Sequence, residues 1–364
     1  MEKIIYCKRC VMNNASDKTI RFNENGYCNY CTDALAEINT TVYFPNENGK
    51  EKLKAMLAKI KQENHDKAYD CVMGISGGLD SSYLAYLGYT WGLRILAVHI
   101  DDGFDTEISK KNIKRLCDKT GMELRTITPD PEQFNALTLA YMRAGVPNLA
   151  IPQDNILFAF LYKTVVDEKL KYFVSGGNFA LECILQKDHV FNAMDTVNIR
   201  DIHKRFGLKP IDKLQFISSY EKYVNDKLGR AISLRPLNYI DYNRERAFRE
   251  LYDFCGFEYY GRKHLENILT AFVQTYWYPE KFGVDKRTSH LSSMIVSGQM
   301  TREEALKELQ EPVYDEVMEE YIGIIKDRLG INDTEFEEIM KAPTHEHEEF
   351  RTDKFGKAVR KILN

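Results

Sequence analysis

Short strand signals sit at residues 69–75, 94–100, 123–128 and 172–175. Between them, residues 82–91, 106–119, 133–143 and 155–169 space their apolar positions as helices do. Regular alternation of strand and helix predicts an α/β fold, a parallel sheet with helices on both faces. One more strand is predicted at 231–234, and from there the pattern is helical only: 243–254, 263–276, 287–296, 301–308 and 313–329. Thr301 and Glu304 have capping-box spacing at the head of one of these. Ahead of the sheet lie a helical stretch up to residue 39, a polar loop at 45–49 and a charged amphipathic helix at 50–62. These shifts divide the chain into a small module at 1–40, a linker helix at 41–65, a sheet domain at 66–236 and a helical region at 237–364 for substrate or partner. The segment 344–349, Thr-His-Glu-His-Glu-Glu, reads as a solvated tail.

The first predicted strand ends in Ser76-Gly77-Gly78-Leu79-Asp80-Ser81-Ser82, directly before a helix. A strand, a glycine turn and a helix N-terminus make an anion site, because free N–H groups and the positive end of the helix dipole point outward. Gly77 and Gly78 let the backbone approach phosphate oxygens, and the hydroxyls of Ser76, Ser81 and Ser82 can donate to them. Asp80 faces phosphate usefully only through Mg²⁺. No lysine follows the glycines, which separates this turn from the common phosphate loop, and no third glycine makes it a dinucleotide fingerprint.

Two other strand ends invite the same reading. His99-Ile100-Asp101-Asp102-Gly103 ends the second strand, where either aspartate is a ligand for Mg²⁺ or ribose, or simply part of a turn. Ser175-Gly176-Gly177-Asn178 ends the fourth and opens a helix in which Asn178 and Glu182 stand one turn apart. Further on, Tyr276 to Leu291 packs aromatics and cations into what reads as a loop before a helix. Lys281, Lys286 and Arg287 there either clamp phosphates, of ATP or of a sugar nucleotide, or pack on the aromatics as solvated cations.

Cys7-Lys8-Arg9-Cys10 and Cys28-Asn29-Tyr30-Cys31 have the spacing of a closed, structural Cys₄ zinc site. The segment between them holds a short predicted strand at 19–22 and almost no apolar residues. Zinc would supply its folding energy, on the order of 10–16 kcal/mol in isolated finger peptides. Cys71, Cys117 and Cys255 lie in apolar patterns and read as core, and Cys183 adjoins the second glycine turn.

Composition adds exclusions. A net charge of −4 offers nothing global to nucleic acid or an acidic membrane, and Arg200, His203, Lys204, Arg205, Lys209 and Lys213 form either a basic patch or a solvated helix face. The N-terminus has no apolar signal core, and no apolar run approaches the roughly 18 residues of a membrane span. The expectation is a cytoplasmic protein whose cysteines serve metal or chemistry rather than disulfides.

The run Ser-Gly-Gly-Leu-Asp-Ser resembles the PP-loop of the ATP pyrophosphatases, which split ATP into AMP and pyrophosphate while adenylating a substrate oxygen. The resemblance implies that Ser76, Gly77, Gly78, Asp80, Ser81, Ser82, His99, Gly176 and Gly177 surround ATP. It also gives Asp80, Asn178 and Glu182 catalytic roles and makes ATP and Mg²⁺ the reagents. Taken with Cys-Lys-Arg-Cys-Val-Met, Ser-Gly-Gly-Asn and Lys-Phe-Gly-Val-Asp-Lys-Arg-Thr-Ser-His-Leu-Ser-Ser, the chain is similar from residue 7 to about 315 to the N-acetyl sugar amidotransferases of surface polysaccharide and flagellar glycan synthesis. That implies conversion of an acetamido group on a nucleotide-linked sugar to an acetamidino group. Ammonia would come from a separate glutaminase through a barrel-type partner. The rival is a thiolase that adenylates a tRNA base or small molecule for sulfur transfer.

Overall fold

The computed structural model describes residues 4–261, 265–356 and 358. Helices α1 (Asn29–Glu37) and α2 (Glu47–Glu63) lead into the sheet domain. There β1 (Cys71–Gly74), α3 (Leu79–Thr90), β2 (Ile95–Ile100), α4 (Glu107–Thr120) and β3 (Glu123–Ile127) alternate. After them come α5 (Pro131–Ala144), α6 (Ile151–Asp167), β4 (Tyr172–Val174), α7 (Phe179–Glu182), α8 (Thr196–Phe206), α9 (Ser219–Lys227) and β5 (Ile232–Leu234). The C-terminal region contains α10 (Arg244–Cys255), α11 (Ile268–Phe272), α12 (Arg287–Val296), α13 (Arg302–Glu308), α14 (Val317–Leu329) and α15 (Asp333–Lys341).

The five strands pair in parallel in the order β3-β2-β1-β4-β5. Side chains alternate across the sheet. Cys71 and Met73 of β1 join Ile95, Ala97 and Val174 in a core with Leu84 of α3 and Ile113 and Leu116 of α4. Val72, Leu96, Val98 and Phe173 face the other way, onto Ala159, Leu161, Tyr162 and Val165 of α6. Burial on both faces is why these strands read as continuous apolar runs. The chain builds outward from β1 through β2 to β3, then returns to lay β4 on the other side of β1. The crevice outside the carboxyl ends of β1 and β4 is therefore the topological switch point, where open α/β sheets bind ligands. Both glycine turns open there.

A second core ties the C-terminal region to the sheet domain. Phe272, Trp277 and Tyr278 pack with Phe104, Phe134 of α5, Ile199 of α8 and Phe336 of α15. The segment expected to be a loop from Tyr276 is helical instead: α11 runs on without a break as a π-helix, Val273–Phe282, until Gly283 at φ 66° ends it. Burial of Trp277 and Tyr278 at successive positions favours this wider winding, which turns both inward. The start of the helix expected at 263–276 falls at residues 263 and 264, outside the described residues. The strand expected at 19–22 is reduced to one bridge, Phe22 to Cys28. Nor is 344–349 a solvated tail, since His347 is buried and its ring stacks on Phe191 at 4.5 Å. The basic cluster around α8 is not a free patch: Arg205, Lys209 and Lys213 pair with Asp201, Glu132 and Asp130. Among the described residues, no helix is long and apolar enough to cross a membrane.

Candidate active site at the sheet switch point

A cavity of about 550 Å³ opens at the switch point. Its near wall is the turn after β1. Gly77 adopts φ +75°, a conformation that favours glycine, and a side chain there would run into the backbone of Ser109. A Cβ on Gly78 would strike the Glu266 carboxylate. Helix α3 starts at Leu79 with no side-chain cap. Its first amides instead meet loop and ring oxygens: Gly78 N donates to Ser76 Oγ at 3.2 Å and Leu79 N to Tyr260 OH at 2.8 Å. The Ser76 and Ser81 hydroxyls lie 3.2 Å apart and both line the cavity. Asp80 also lines it, and its carboxylate accepts a hydrogen bond from the buried Tyr242 phenol. Burial, then the Asp80 charge, holds that phenol well above its ordinary pKa, so it stays a donor.

Ser82 is a correction. One residue past Ser81 on the same helix, it rotates into the core, fully buried, with no hydrogen-bond partner for its Oγ. Gly77 shapes the turn without lining the cavity.

The turn after β4 presses against the first. A Cβ on Gly176 would come within 2.9 Å of Ser81 N, so only glycine lets the two strand ends approach this closely. Gly176, Gly177 and Glu182 line the cavity. Asn178 does not: it is buried and caps α7, its Oδ1 accepting from Leu181 N at 3.0 Å and its Nδ2 donating to Gly176 O at 3.1 Å. The expected catalytic Asn178 is thus a local brace, while Glu182 lines the cavity, its Oε2 accepting from Asn178 N at 3.3 Å.

His99 reaches the cavity, but both ring nitrogens are engaged. Nδ1 meets Ile75 O at 2.9 Å and Nε2 meets Asp105 Oδ2 at 2.9 Å. Burial opposes the charged ring, yet the Asp105 carboxylate outweighs it and raises the pKa. His99 therefore ties the end of β1 to the segment leading into α4.

The facing wall joins Asp102 and Lys286 to three residues that the sequence left unremarked, Glu266, Asp154 and His189. Glu266 lies 3.3 Å from Ser76 Oγ through Oε1, and its Oε2 is buried with no partner. A bare carboxylate inside a phosphate cradle fits a Mg²⁺ ion, with Asp80 as the second anionic ligand. Asp102 accepts from Phe104 N and from the Asn267 and Gln153 amides, and burial raises its carboxyl to about 6. Asp154, half-buried in the first turn of α6, is pushed up to about 7 by burial alone. His189, whose Nδ1 is buried and unpartnered, is lowered to about 4 by burial and by Lys286. Lys286 lies over the Tyr278 ring at 5.0 Å, and burial lowers it to about 8.

The other two cations of that segment are elsewhere. Lys281 Nζ donates to the carbonyls of Ile339 and Ala342, at 2.6 and 2.8 Å, and so closes the end of α15. Arg287 is buried, paired with Asp285 at 2.7 Å, and donates to the carbonyls of Glu308 and Glu311. Neither faces the loop.

The four N-terminal cysteines converge as expected. Their Sγ atoms all lie within 4.8 Å of one another. Sulfur pairs at 3.5–3.7 Å approach the edge of a tetrahedron around zinc, about 3.8 Å for Zn–S bonds of about 2.3 Å. The donor set is compatible with zinc. Arg302 binds the carbonyls of Cys7 and Cys10, and Val11 N donates to Ser292 Oγ of α12. The module also holds the wall beside His189: Gln186 donates to Ser16 O, and Lys187 N to Tyr30 OH.

Residues 50–144 match the family described as NAD synthase, and residues 266–363 match the family described as "LPS biosynthesis protein WbpG-like, C-terminal domain". The two matches together point to the PP-loop ATP pyrophosphatase superfamily, joined to a WbpG-like C-terminal domain. The superfamily uses ATP and typically Mg²⁺. A tRNA-specific 2-thiouridylase of Fusobacterium nucleatum is 24% identical over 210 residues, 55% of this chain and 54% of that protein. The chain thus spans about half the length of this curated relative. Among solved structures, NMN synthetase from Francisella tularensis aligns over 82% of this chain and 98% of its own, at 14% identity and TM-score 0.35. NH3-dependent NAD synthetase from Campylobacter jejuni aligns over 50% and 83%, at 15% identity and TM-score 0.31.

Proposed function

We propose that the protein uses ATP to activate the acetamido oxygen of a nucleotide-linked sugar and replaces it with nitrogen from ammonia, forming an acetamidino group, AMP and pyrophosphate. One observation carries this reading. The region that matches the lipopolysaccharide-biosynthesis family supplies Glu266, Asn267, Tyr278 and Lys286 to the same cavity as the PP-loop. An amide oxygen is a poor leaving group. Attack by that oxygen on the α-phosphorus breaks the bond to pyrophosphate, which the turn at 76–81 receives through amides and hydroxyls. Mg²⁺ would offset the charge of the departing pyrophosphate from between Asp80 and Glu266. Ammonia then adds to the imidate carbon, a proton passes to a carboxylate, and AMP leaves with the former amide oxygen. Glu182 and Asp154 are two of the cavity carboxylates, and we assign that proton to one of them. Asp154, raised to about 7, is matched to the task near neutral pH. Ammonia from a docked glutaminase, through a barrel-type subunit, belongs to the same proposal.

The thiolase reading is favoured by the 2-thiouridylase relative but opposed by Cys183, whose thiol burial pushes up to about 12, away from a nucleophilic thiolate. The test is pyrophosphate release from ATP with panels of acceptors. Release that requires an acetamido sugar nucleotide plus ammonium, and is unchanged in Cys183→Ser, supports the proposal. Release that requires tRNA and a sulfur donor, and is lost in that variant, overturns it.

A further inference from the structure

A second cavity, of about 560 Å³, adjoins the first. Leu181, Glu182, Leu185, Arg244, Gln274 and Lys286 line both, so they form the neck between the two. Each volume suits a ligand of nucleotide size. The neck carries two cations. Arg244 lies over the Tyr259 ring at 5.0 Å and Lys286 over the Tyr278 ring at 5.0 Å. Among the described residues, neither is in an ion pair with a carboxylate. On the proposed function the turn at 76–81 receives the phosphates of ATP, which leaves these cations for a second anion. With Glu182 as the one carboxylate of the neck, the two half-buried cations leave net positive charge there, and a phosphate group offsets it with charge-assisted hydrogen bonds. Beyond the neck the second cavity is of mixed charge: Glu304 and Glu308 of α13 line it together with Lys307 and the Asp285-paired Arg287. Carboxylates repel further phosphate but accept hydrogen bonds from ribose hydroxyls.

We infer that the neck and the second cavity form a nucleoside-diphosphate site, with the diphosphate between Arg244 and Lys286 and the nucleoside among the α13 carboxylates. The group attached to the diphosphate then enters the first cavity, where it faces the PP-loop. This rests on the proposed function and names the residues that select a nucleotide-linked acceptor over a free sugar.

Calorimetry on the full chain tests it, with α,β-methylene-ATP saturating the first site and UDP, GDP, CDP and dTDP titrated in turn. At least one of the four is expected to bind. Arg244→Ala and Lys286→Gln are each expected to weaken it about tenfold or more, while affinity for α,β-methylene-ATP changes less than about twofold. Lys286→Arg, which keeps the charge, should recover most of the loss. Binding of none of the four, or equal binding by all variants, overturns the inference. Failure of α,β-methylene-ATP to bind the wild-type protein would instead sink the ATP reading of the loop.

Discussion

The glycine turns after β1 and β4 and the wall facing them enclose one cavity but are made in different ways. The turns are local: consecutive residues supply backbone amides, and short side chains such as Ser76 and Ser81 complete them. The facing wall is assembled from distant positions, Asp154, His189, Glu266 and Lys286, each delivered by a different element. Backbone donors are positioned by the strand and helix that carry them. Side-chain donors depend on everything packed behind them. On the proposed function, reception of the phosphates falls to the local wall, and contact with the acceptor to the assembled one.

The sharpest way to break this contrast is to strip the turn. Ser76→Ala with Asp80→Ala should lower pyrophosphate release by about 10³-fold or more, with zinc content unchanged. Substantial surviving activity would move the reaction away from the turn. Next in size is loss of the cysteine cluster. Cys10→Ser should abolish bound zinc and, at a cost of about 4 kcal/mol, lower the melting temperature by about 10 °C. Because the module braces residues 186–188 and α12, acceptor-dependent turnover should fall more than affinity for α,β-methylene-ATP. An equal loss of both would show that the two walls are not separable. The smallest effect concerns Asp154. Its folded-state carboxyl is raised, so the folded chain retains a proton that the unfolded chain releases. Stability should fall as pH rises from the ordinary carboxyl range to about 7, then level off. Asp154→Asn should lack that slope, melting a few degrees higher than wild type at pH 8 but not at pH 4. The acidic limb of its rate profile near pH 7 should also vanish; an unmoved limb would remove Asp154 from the proton transfer.

The inner strands β1, β2 and β4 were legible because strands buried on both faces are apolar, and the turn because its glycines and hydroxyls are consecutive. The facing wall was not, because no local pattern links Glu266 to Ser76 across 190 residues of chain. The cation segment shows the limit most clearly. Lys281, Lys286 and Arg287 look interchangeable in sequence, yet packing sends the first to the end of α15 and the third to Asp285, leaving Lys286 for the cavity. Ser81 and Ser82 differ likewise: a rotation of about 100° per helical residue separates a cavity hydroxyl from a buried one.

By itself, then, the amino-acid sequence marked a parallel α/β domain, the glycine turn after β1 and two cysteine knuckles, because the signal of each lies in consecutive residues. Only the tertiary structure decided which cations and carboxylates face the cavity, that Asn178 braces rather than reacts, and that a second cavity adjoins the first. Those outcomes depend on long-range packing, which gives each side chain its direction only when distant elements meet.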